Sequence, residues 1–336
     1  MPPGEETTRG IGLPVWMYAL RRSWNGFVRH RGIDSAAALT FFAALATFPA
    51  TLAVVSALAL FDHRKGAVVD LLDAINTVAR DSTVAMLSQP LTQFTHIPNP
   101  GWGLIVGIAL TVWSTSAYAT AFGRAVNGAY EVEEGRPFWK FRGLMLLLTV
   151  PLVAVFSLIV AILLFTRRVV TAMGKTLGFG APWIDVWDGG RWVLLAILAV
   201  LIIGVLYYFT PNVSRPRFRW VSWGATLALA GWAVVTAGFA FYAANVSSYD
   251  KIYGWLGGGI AMLLWLYLSN LVLVLGAELD SELVRVRQLS AGVAAEDDVK
   301  LPPRDTRRSR RLERKRARDE ADGRTLRDDG ALDDAS

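Results

Sequence analysis

Long apolar stretches separated by short polar ones run through most of this chain. Six of them carry no charged side chain and are long enough to cross the roughly 30 Å hydrocarbon core of a bilayer as helices. They cover residues 35–61, 102–122, 143–166, 192–210, 220–247 and 252–277. The pattern therefore predicts an all-α integral membrane protein with six transmembrane helices.

The last stretch combines small and polar positions. Three consecutive glycines, at 257–259, remove side chains where a neighbouring helix can approach closely. Tyr267, Asn270 and Glu278 follow at spacings of three and eight residues, which places them roughly on one side of a helix. A carboxylate at the end of a membrane helix lies either at the water interface or against a partner. The sequence leaves these two alternatives open.

Two further segments are amphipathic and are predicted to lie outside the bilayer core. In residues 13–31 a basic face lies opposite an apolar face with two tryptophans, which is typical of a helix on the membrane surface. The apolar face holds Trp16, Leu20, Trp24 and Phe27, and the polar face holds Arg21, Arg22, Asn25 and Arg29. Residues 62–100 carry a similar pattern and predict extracytoplasmic amphipathic helices.

Small and polar residues also recur at helical spacing inside other spans, where they usually pack against a second helix. The candidate intramembrane polar seam consists of Ser116, Thr120, Tyr267 and Asn270. The fifth span carries Gly224, Gly231 and Gly238 seven residues apart, which predicts close contact with a neighbour.

Composition narrows the function classes. Of 336 residues, 53% are hydrophobic and 18% are charged, whereas about 25% are charged in soluble domains. The chain has no cysteine, and its three histidines are widely separated. The acidic residues Glu131, Glu133 and Glu134 are more easily explained as a solvated loop than as part of a metallonuclease site. The sequence therefore predicts no catalytic residue, no metal and no cofactor, and it does not indicate an enzyme.

The two ends differ from the membrane part. Residues 1–12 and 291–336 are predicted to be disordered, and 13–290 to form the membrane domain. From Glu296 onwards the chain has twelve basic and twelve acidic residues and few large apolar ones, too few to fold alone. Its basic part, Arg304–Arg318, is expected to contact anionic lipid headgroups. Nucleic acid is not expected as a partner because this stretch has no aromatic side chain for stacking.

The Lys and Arg residues between the spans set the expected orientation. They concentrate in the N-terminal amphipathic segment, the 124–142 loop, the 211–219 loop and the tail, which share one side if there are six spans. The sequence therefore predicts a multi-pass protein with both termini in the cytoplasm.

Several segments, in their order and spacing, resemble one family. The first span contains ALTFFAALATFPATL, and the second span with its exit reads LTVWSTSAYATAFGRAVNGAYEVEEGRPFWKFR. The fourth span ends in YYFTPNVSRPRFRW, and the last part reads FYAANVSSYDKIYGWLGGGIAMLLWLYLSNLVLVLGAELD. Over about residues 14–285 the chain resembles the YihY/BrkB family, formerly misnamed ribonuclease BN. The resemblance implies a six-helix protein of the bacterial inner (plasma) membrane and cell envelope.

The resemblance is dense over 124–136 and again over 249–278, and these two regions supply two groups of candidate functional residues. One group is a polar cluster expected to close the cytoplasmic end of the bundle, formed by Arg124, Asn127, Arg136 and Glu278. Either arginine is the predicted partner of Glu278, because a carboxylate near the bilayer is seldom unpaired; the alternative is that each residue faces water. The other group is an extracytoplasmic turn with Tyr249, Asp250, Tyr253 and Gly254.

The resemblance leaves the function open between two classes. The first is the movement or handling of a lipid or lipid-like envelope precursor, for which polar groups and kinked helices in the membrane are suited. The second is a membrane scaffold that binds protein partners of the envelope. A ribonuclease is the least supported of the three, since no clustered His/Asp motif accompanies the name.

Overall fold

The computed structural model describes residues 13–61, 99–165, 170–171, 181–214, 222–245 and 255–333. Within these ranges the chain forms long helices and no β-strand. We label them α1 (Leu13–Arg29), α2 (Gly32–Phe61), α3 (Pro100–Ala129), α4 (Phe138–Leu164), α5 (Ala181–Phe209), α6 (Trp223–Asn245), α7 (Trp255–Ser290) and α8 (Arg307–Asp333). Helices α2 to α7 are each long and apolar enough to cross a membrane, so the predicted all-α membrane fold is confirmed.

Two spans extend well beyond the uncharged stretches that predicted them. Helix α5 begins at Ala181 rather than near 192, and its added charges are partly paired, since Arg191 contacts Asp188 one turn away at 3.0 Å. Helix α7 continues to Ser290 rather than ending near 277. Its 36 residues measure about 54 Å at 1.5 Å per residue, so its last turns project beyond a hydrocarbon core of about 30 Å.

Some predictions fall outside the described residues. These are the N-terminal segment 1–12, the amphipathic segment at 62–98 and the turn at 246–254. The candidate residues on that turn are Tyr249, Asp250, Tyr253 and Gly254.

The six spans form a ring in chain order. Each packs on the next, from α2 through to α7, and α7 returns to contact α2. The α2–α3 pair makes the most extensive contact, and α7 also touches α3 across the ring. Helix α1 lies outside the ring, mainly against α7.

Small residues let the helices approach closely at several of these contacts. A Cβ on Gly224 would lie 2.3 Å from the Gly276 carbonyl oxygen, so α6 and α7 meet backbone to backbone there. Gly231 instead faces the side chain of Val272, and a Cβ on Gly238 would meet nothing within 4 Å. The glycine repeat of the fifth span therefore marks a helix contact at two of its three positions.

Burial differs between the two ends of the ring. We call the end that carries α1, the α3–α4 connection and the last part of α7 the polar end, and the other the opposite end. In α5 no described side chain of 182–197 is buried, whereas Leu206 and Tyr207, nearer the polar end, are. Helices α4, α6 and α7 show the same trend, with Ile162 near the end of α4 as an exception, while the α2–α3 pair keeps Val55 and Ser56 buried towards the opposite end.

Helix α1 packs through small residues and leaves large apolar ones outside. Ala19, Ser23 and Gly26 are buried, and Ala19 belongs to a cluster with Leu279 and Leu283 on the projecting part of α7. The exposed apolar stripe consists of Leu13, Met17, Leu20, Trp24 and Val28. Phe27 is buried and does not belong to that stripe. Of the four residues predicted for the apolar face, Leu20 and Trp24 are therefore exposed, whereas Phe27 and Trp16, whose ring lies 5.6 Å from that of Trp223, are on the protein side.

The predicted disorder of the tail does not hold for residues 291–333. The segment 291–306, which we call the strap, folds back along the polar end and buries Ala295, Val299 and Asp305. Val213 pairs with Pro303 in an isolated antiparallel bridge, and α8 then follows. The composition indicated disorder because this segment has few large apolar side chains. The strap is instead held largely by hydrogen bonds to loops, which need little apolar surface.

Candidate functional site

The polar end contains a network of charged side chains, three of them buried, that joins four parts of the chain. Glu131, in the α3–α4 connection, accepts hydrogen bonds from Arg29 at 2.6 Å and from Arg285 at 2.9 Å. Its backbone adopts φ 55°, a left-handed conformation that costs a non-glycine residue roughly 1 kcal/mol. We call this set the Glu131 network; it consists of Arg22, Arg29, His30, Glu131, Glu278, Glu282 and Arg285.

Arg285 lies at the centre of the Glu131 network. Its side chain is 1% exposed, and its Nε donates to Glu282 Oε2 at 3.0 Å. Its Nη1 donates to the Ala295 carbonyl of the strap at 2.8 Å. Arg22 of α1 reaches the same Glu282 oxygen at 3.1 Å. One guanidinium therefore holds α7, the α3–α4 connection and the strap together, because a planar group with five donors can serve several acceptors at once.

Glu278 pairs with a histidine. His30 Nδ1 lies 2.9 Å from Glu278 Oε1, and His30 Nε2 lies 3.7 Å from Glu131. The second carboxylate oxygen, Oε2, is buried and accepts no hydrogen bond from the described residues. A Cβ on Gly26 would lie 2.8 Å from that oxygen, so α1 packs closely on the Glu278 carboxylate at this glycine.

This arrangement corrects the predicted pairing of Glu278 with an arginine. Arg124 is exposed on α3, and Arg136 belongs to a second network. His30 takes their place because the short α1–α2 connection brings it over the end of α7. Of the predicted cluster, Glu278 therefore belongs to the Glu131 network, whereas Asn127 and Arg136 lie together elsewhere.

The second network surrounds Arg136. Its guanidinium donates to the Glu134 carboxylate through Nε and Nη2, both at 2.7 Å. Nη2 also donates to the Thr210 carbonyl at 2.7 Å. The same group lies 4.5 Å from the centre of the Phe141 ring. Asn127 donates to Glu134 at 2.8 Å and accepts from the Asn212 backbone at 2.7 Å. The ends of α3 and α5 are thus joined to the start of α4.

The strap completes this second network. Asn212 and Asp305 exchange hydrogen bonds of 2.8 and 3.1 Å between side chain and backbone. Asp305 also accepts from Lys140 Nζ at 2.7 Å and from the Arg307 amide at 3.0 Å. The Lys140 hydrogen bond, followed by that amide, holds the pKa of Asp305 below its usual range. Asp305 is therefore ionised at neutral pH and ties α8 to α4.

The predicted intramembrane seam divides into two parts. Asn270 of α7 accepts from the Tyr118 hydroxyl at 2.9 Å and donates to Thr40 Oγ1 at 3.2 Å. We call Thr40, Tyr118 and Asn270 the polar trio; it links α2, α3 and α7. Ser116 and Thr120 instead donate to carbonyls of their own helix, and Tyr267 is half-buried.

Sequence reasoning missed several residues of these networks, among them His30, Glu282, Arg285, Asn212 and Asp305. A pattern for two of these five is present, because Glu278, Glu282 and Arg285 recur at spacings of four and three and share one side of α7. The remaining three depend on how loops dock, for which the sequence has no periodic pattern. Within the described ranges no group of three or more His, Asp or Glu is placed to hold a metal ion.

Comparison with known proteins gives a consistent result. The model of the family described as Virulence factor BrkB matches residues 23–300. The ribonuclease-like protein YfkH of Bacillus subtilis is 30% identical over 275 residues, which are 81% of this chain and 98% of that protein. A UPF0761 membrane protein of Laribacter hongkongensis is 27% identical over 84% of this chain, and one of Alkalilimnicola ehrlichii is 28% identical over 75%.

The chain spans less than two thirds of the UPF0761 relatives, since the aligned part is 63% of the Laribacter protein and 55% of the Alkalilimnicola protein. No solved structure matches the chain. The term ribonuclease-like belongs to the name of the Bacillus subtilis protein and assigns no activity to this chain.

Proposed function

Since the chain belongs to the Virulence factor BrkB family of membrane proteins, we propose that it handles a lipid or lipid-like amphiphile of the bacterial cell envelope. In this role the polar end keeps the helix bundle closed, and the opposite end contacts the amphiphile. Envelope precursors of this kind have a polar head and long apolar chains, and both parts need a matching surface.

The observation that carries the proposal is the contrast in packing along the ring. The Glu131 and Arg136 networks close the polar end, whereas described side chains of α4 to α6 towards the opposite end are seldom buried. Apolar helices that pack loosely on each other leave surfaces suited to acyl chains. Pro49 in α2 and Pro151 in α4 lie near the middle of their helices and weaken local hydrogen bonding, so these helices can bend.

The polar trio supplies the complementary contact for a headgroup. Eight residues separate Asn270 from Glu278, so the trio lies about 12 Å along α7 from the Glu131 network. The Tyr118 oxygen and the second Asn270 N–H keep hydrogen-bonding capacity after their mutual bond. Beside them Ser269 Oγ is buried and has no hydrogen-bond partner within the described ranges. Such groups in an apolar surrounding favour a ligand that brings its own donors and acceptors.

The proposed orientation places the polar end in the cytoplasm of a bacterium, with the protein in the inner membrane. It rests on the Lys and Arg residues of α1, the α3–α4 connection and α8, which lie at that end. A reporter fused after Ser336 should report the cytoplasm, and one inserted near Asn76 should report the outside. The reverse result at either position contradicts the orientation.

The test is extraction of the full chain in native-lipid particles, followed by mass spectrometry of retained lipids. We expect one lipid class to be enriched over the surrounding membrane, and Asn270→Leu to reduce that enrichment. Tyr267→Phe is the matched control, because Tyr267 lies on the same helix but outside the polar trio. Retained lipid identical to the bulk membrane for all three proteins contradicts the proposal.

A scaffold role is the second candidate, and the projecting helix α8 favours it. Its side chains from 310 to 328 are exposed along the whole length, which is a surface that a protein partner can use. In the same experiment a scaffold predicts stoichiometric co-purifying proteins that disappear when 307–336 are deleted, with no lipid class enriched.

A further inference from the structure

Helix α8 separates its charges by position. Its first twelve residues, 307–318, contain eight Lys or Arg and one Glu, whereas the remainder up to Asp333 contains more acidic than basic residues. The basic half is the part of α8 that directly follows the docked strap.

The basic residues of that half occupy mainly one face. At 100° per residue, six of them fall within an arc of about 120°. They are Arg307, Arg308, Arg311, Arg314, Lys315 and Arg318, and we call this set the basic face. All six are exposed, and none makes an ion pair with another described residue.

The other side of the helix faces the protein. Thr306, Ser309 and Glu313 line a shallow groove against Val132 and Glu133 of the α3–α4 connection. Arg316 lies 3.9 Å from Glu133 and so is directed towards the same loop. Arg304, which the sequence grouped with the basic stretch, stacks 5.1 Å over Tyr208 and donates to its carbonyl. The cations of the basic face are therefore directed away from the protein.

The start of α8 is fixed near the level of the membrane surface. Asp305 is held by Lys140, whose neighbours Phe138 and Trp139 are 56% and 82% exposed at the start of a transmembrane helix. Exposed aromatic residues at that position are typical of the headgroup region. The strap thus places the basic face at the depth at which phosphate headgroups lie.

We propose that the basic face of α8 binds the anionic phospholipid headgroups of the leaflet that surrounds the polar end. The partner is a lipid surface rather than nucleic acid, because the face carries no aromatic side chain and starts beside interfacial aromatics. Each Lys or Arg close to an anionic surface strengthens binding by roughly fivefold, and salt weakens it.

The experiment uses the full chain in nanodiscs of phosphatidylcholine, with or without 30% phosphatidylglycerol, and measures hydrogen exchange of the amides of 307–318. Exposed amides of α8 exchange readily unless the helix is held. We expect at least about tenfold slower exchange in the anionic discs, with the difference reduced in 0.5 M NaCl.

Two variants with equal charge change separate the face from net charge. In the face variant Arg311, Arg314, Lys315 and Arg318 become Gln; in the control variant Arg310, Arg316, Arg324 and Arg327 become Gln. Gln preserves helix propensity, and unchanged exchange in the strap shows that each variant is folded. We expect the lipid dependence to be lost in the face variant alone.

Three results would overturn the proposal. One is equal exchange in neutral and anionic discs, and another is equal loss in the two variants. The third is protection of α8 by an added RNA oligonucleotide but not by phosphatidylglycerol.

Discussion

The polar end and the opposite end of the ring are stabilised by different kinds of contact. At the polar end, buried ions such as Arg285 and Glu282 meet in fixed geometry, with each charge paired or hydrogen-bonded. Towards the opposite end, described side chains of α4 to α6 remain mostly outside the core. Breaking a buried ion pair is costly, whereas helices that face lipid lose little when they shift. One protein thus combines a rigid end and an adaptable end on the same six helices.

The largest effect is expected from removing the central cation. Arg285→Ala leaves Glu131 and Glu282 without their shared partner, which should destabilise the protein by about 3–5 kcal/mol. The change in the free energy of unfolding is measured by unfolding the protein in detergent and monitoring the loss of helix by circular dichroism. Arg287→Ala is the matched control, because Arg287 is exposed on the same helix, and it should change stability by less than about 0.5 kcal/mol. Similar losses for both variants would show that the Glu131 network has no special role.

The same substitution at two positions of α6 compares the two ends directly. Gly224→Ala should cost about 1–3 kcal/mol, because its methyl group would overlap the α7 backbone. Gly238→Ala meets open space and should stabilise α6 by up to about 1 kcal/mol, because alanine favours the helix. Thermal unfolding of both variants in one detergent gives the difference. If both destabilise alike, the opposite end packs more tightly than described.

The polar trio lies between the two ends and should have an intermediate effect. Tyr118→Phe removes one hydrogen bond between α3 and α7, which is worth about 0.6–1.7 kcal/mol inside a membrane protein. Tyr267→Phe should be close to neutral. Equal stability of the two variants would show that the hydrogen bond from Tyr118 to Asn270 does not stabilise the packing of α3 on α7.

The smallest effect concerns acid and the strap. The pKa of Asp305 is lowered chiefly by Lys140, so its ionised form stabilises the docked strap above the unfolded pKa of about 3.9. This contribution is lost as pH falls through the lower, folded pKa. Lys140→Gln should shift the loosening of the strap to higher pH, measured as protease cleavage within 291–306. Lys300→Gln, at an exposed pair with Asp298, should leave the pH dependence unchanged.

The spans were predictable because the thickness of a bilayer dictates the length of an uncharged segment. The polar trio was partly predictable for a similar reason, since Asn270 in an apolar helix needs a partner and its neighbours lie at helical spacing. Its partners were not, because Thr40 and Tyr118 come from helices whose rotation the sequence does not state.

The strap and the pairing of Glu278 could not be predicted in this way. His30 reaches Glu278 because α1 turns sharply into α2, with Arg31 at φ 57°. The strap docks through backbone groups, such as the Arg304 amide on the Asn212 carbonyl at 3.0 Å. Backbone hydrogen bonds do not depend on residue type, and composition therefore indicated disorder where the chain is held.

Helix α7 is a single uninterrupted helix, so its two ends move together when it tilts. Asn270 lies fifteen residues from Trp255 and fifteen from Arg285, so the two arms are equal, each about 22 Å long. A tilt of about 10° around the polar trio would carry both ends roughly 4 Å in opposite directions. That distance exceeds the reach of the hydrogen bonds that Arg285 makes. A force that spreads the helices at one membrane face thus produces an equal displacement at the hydrogen bonds of Arg285 at the other face.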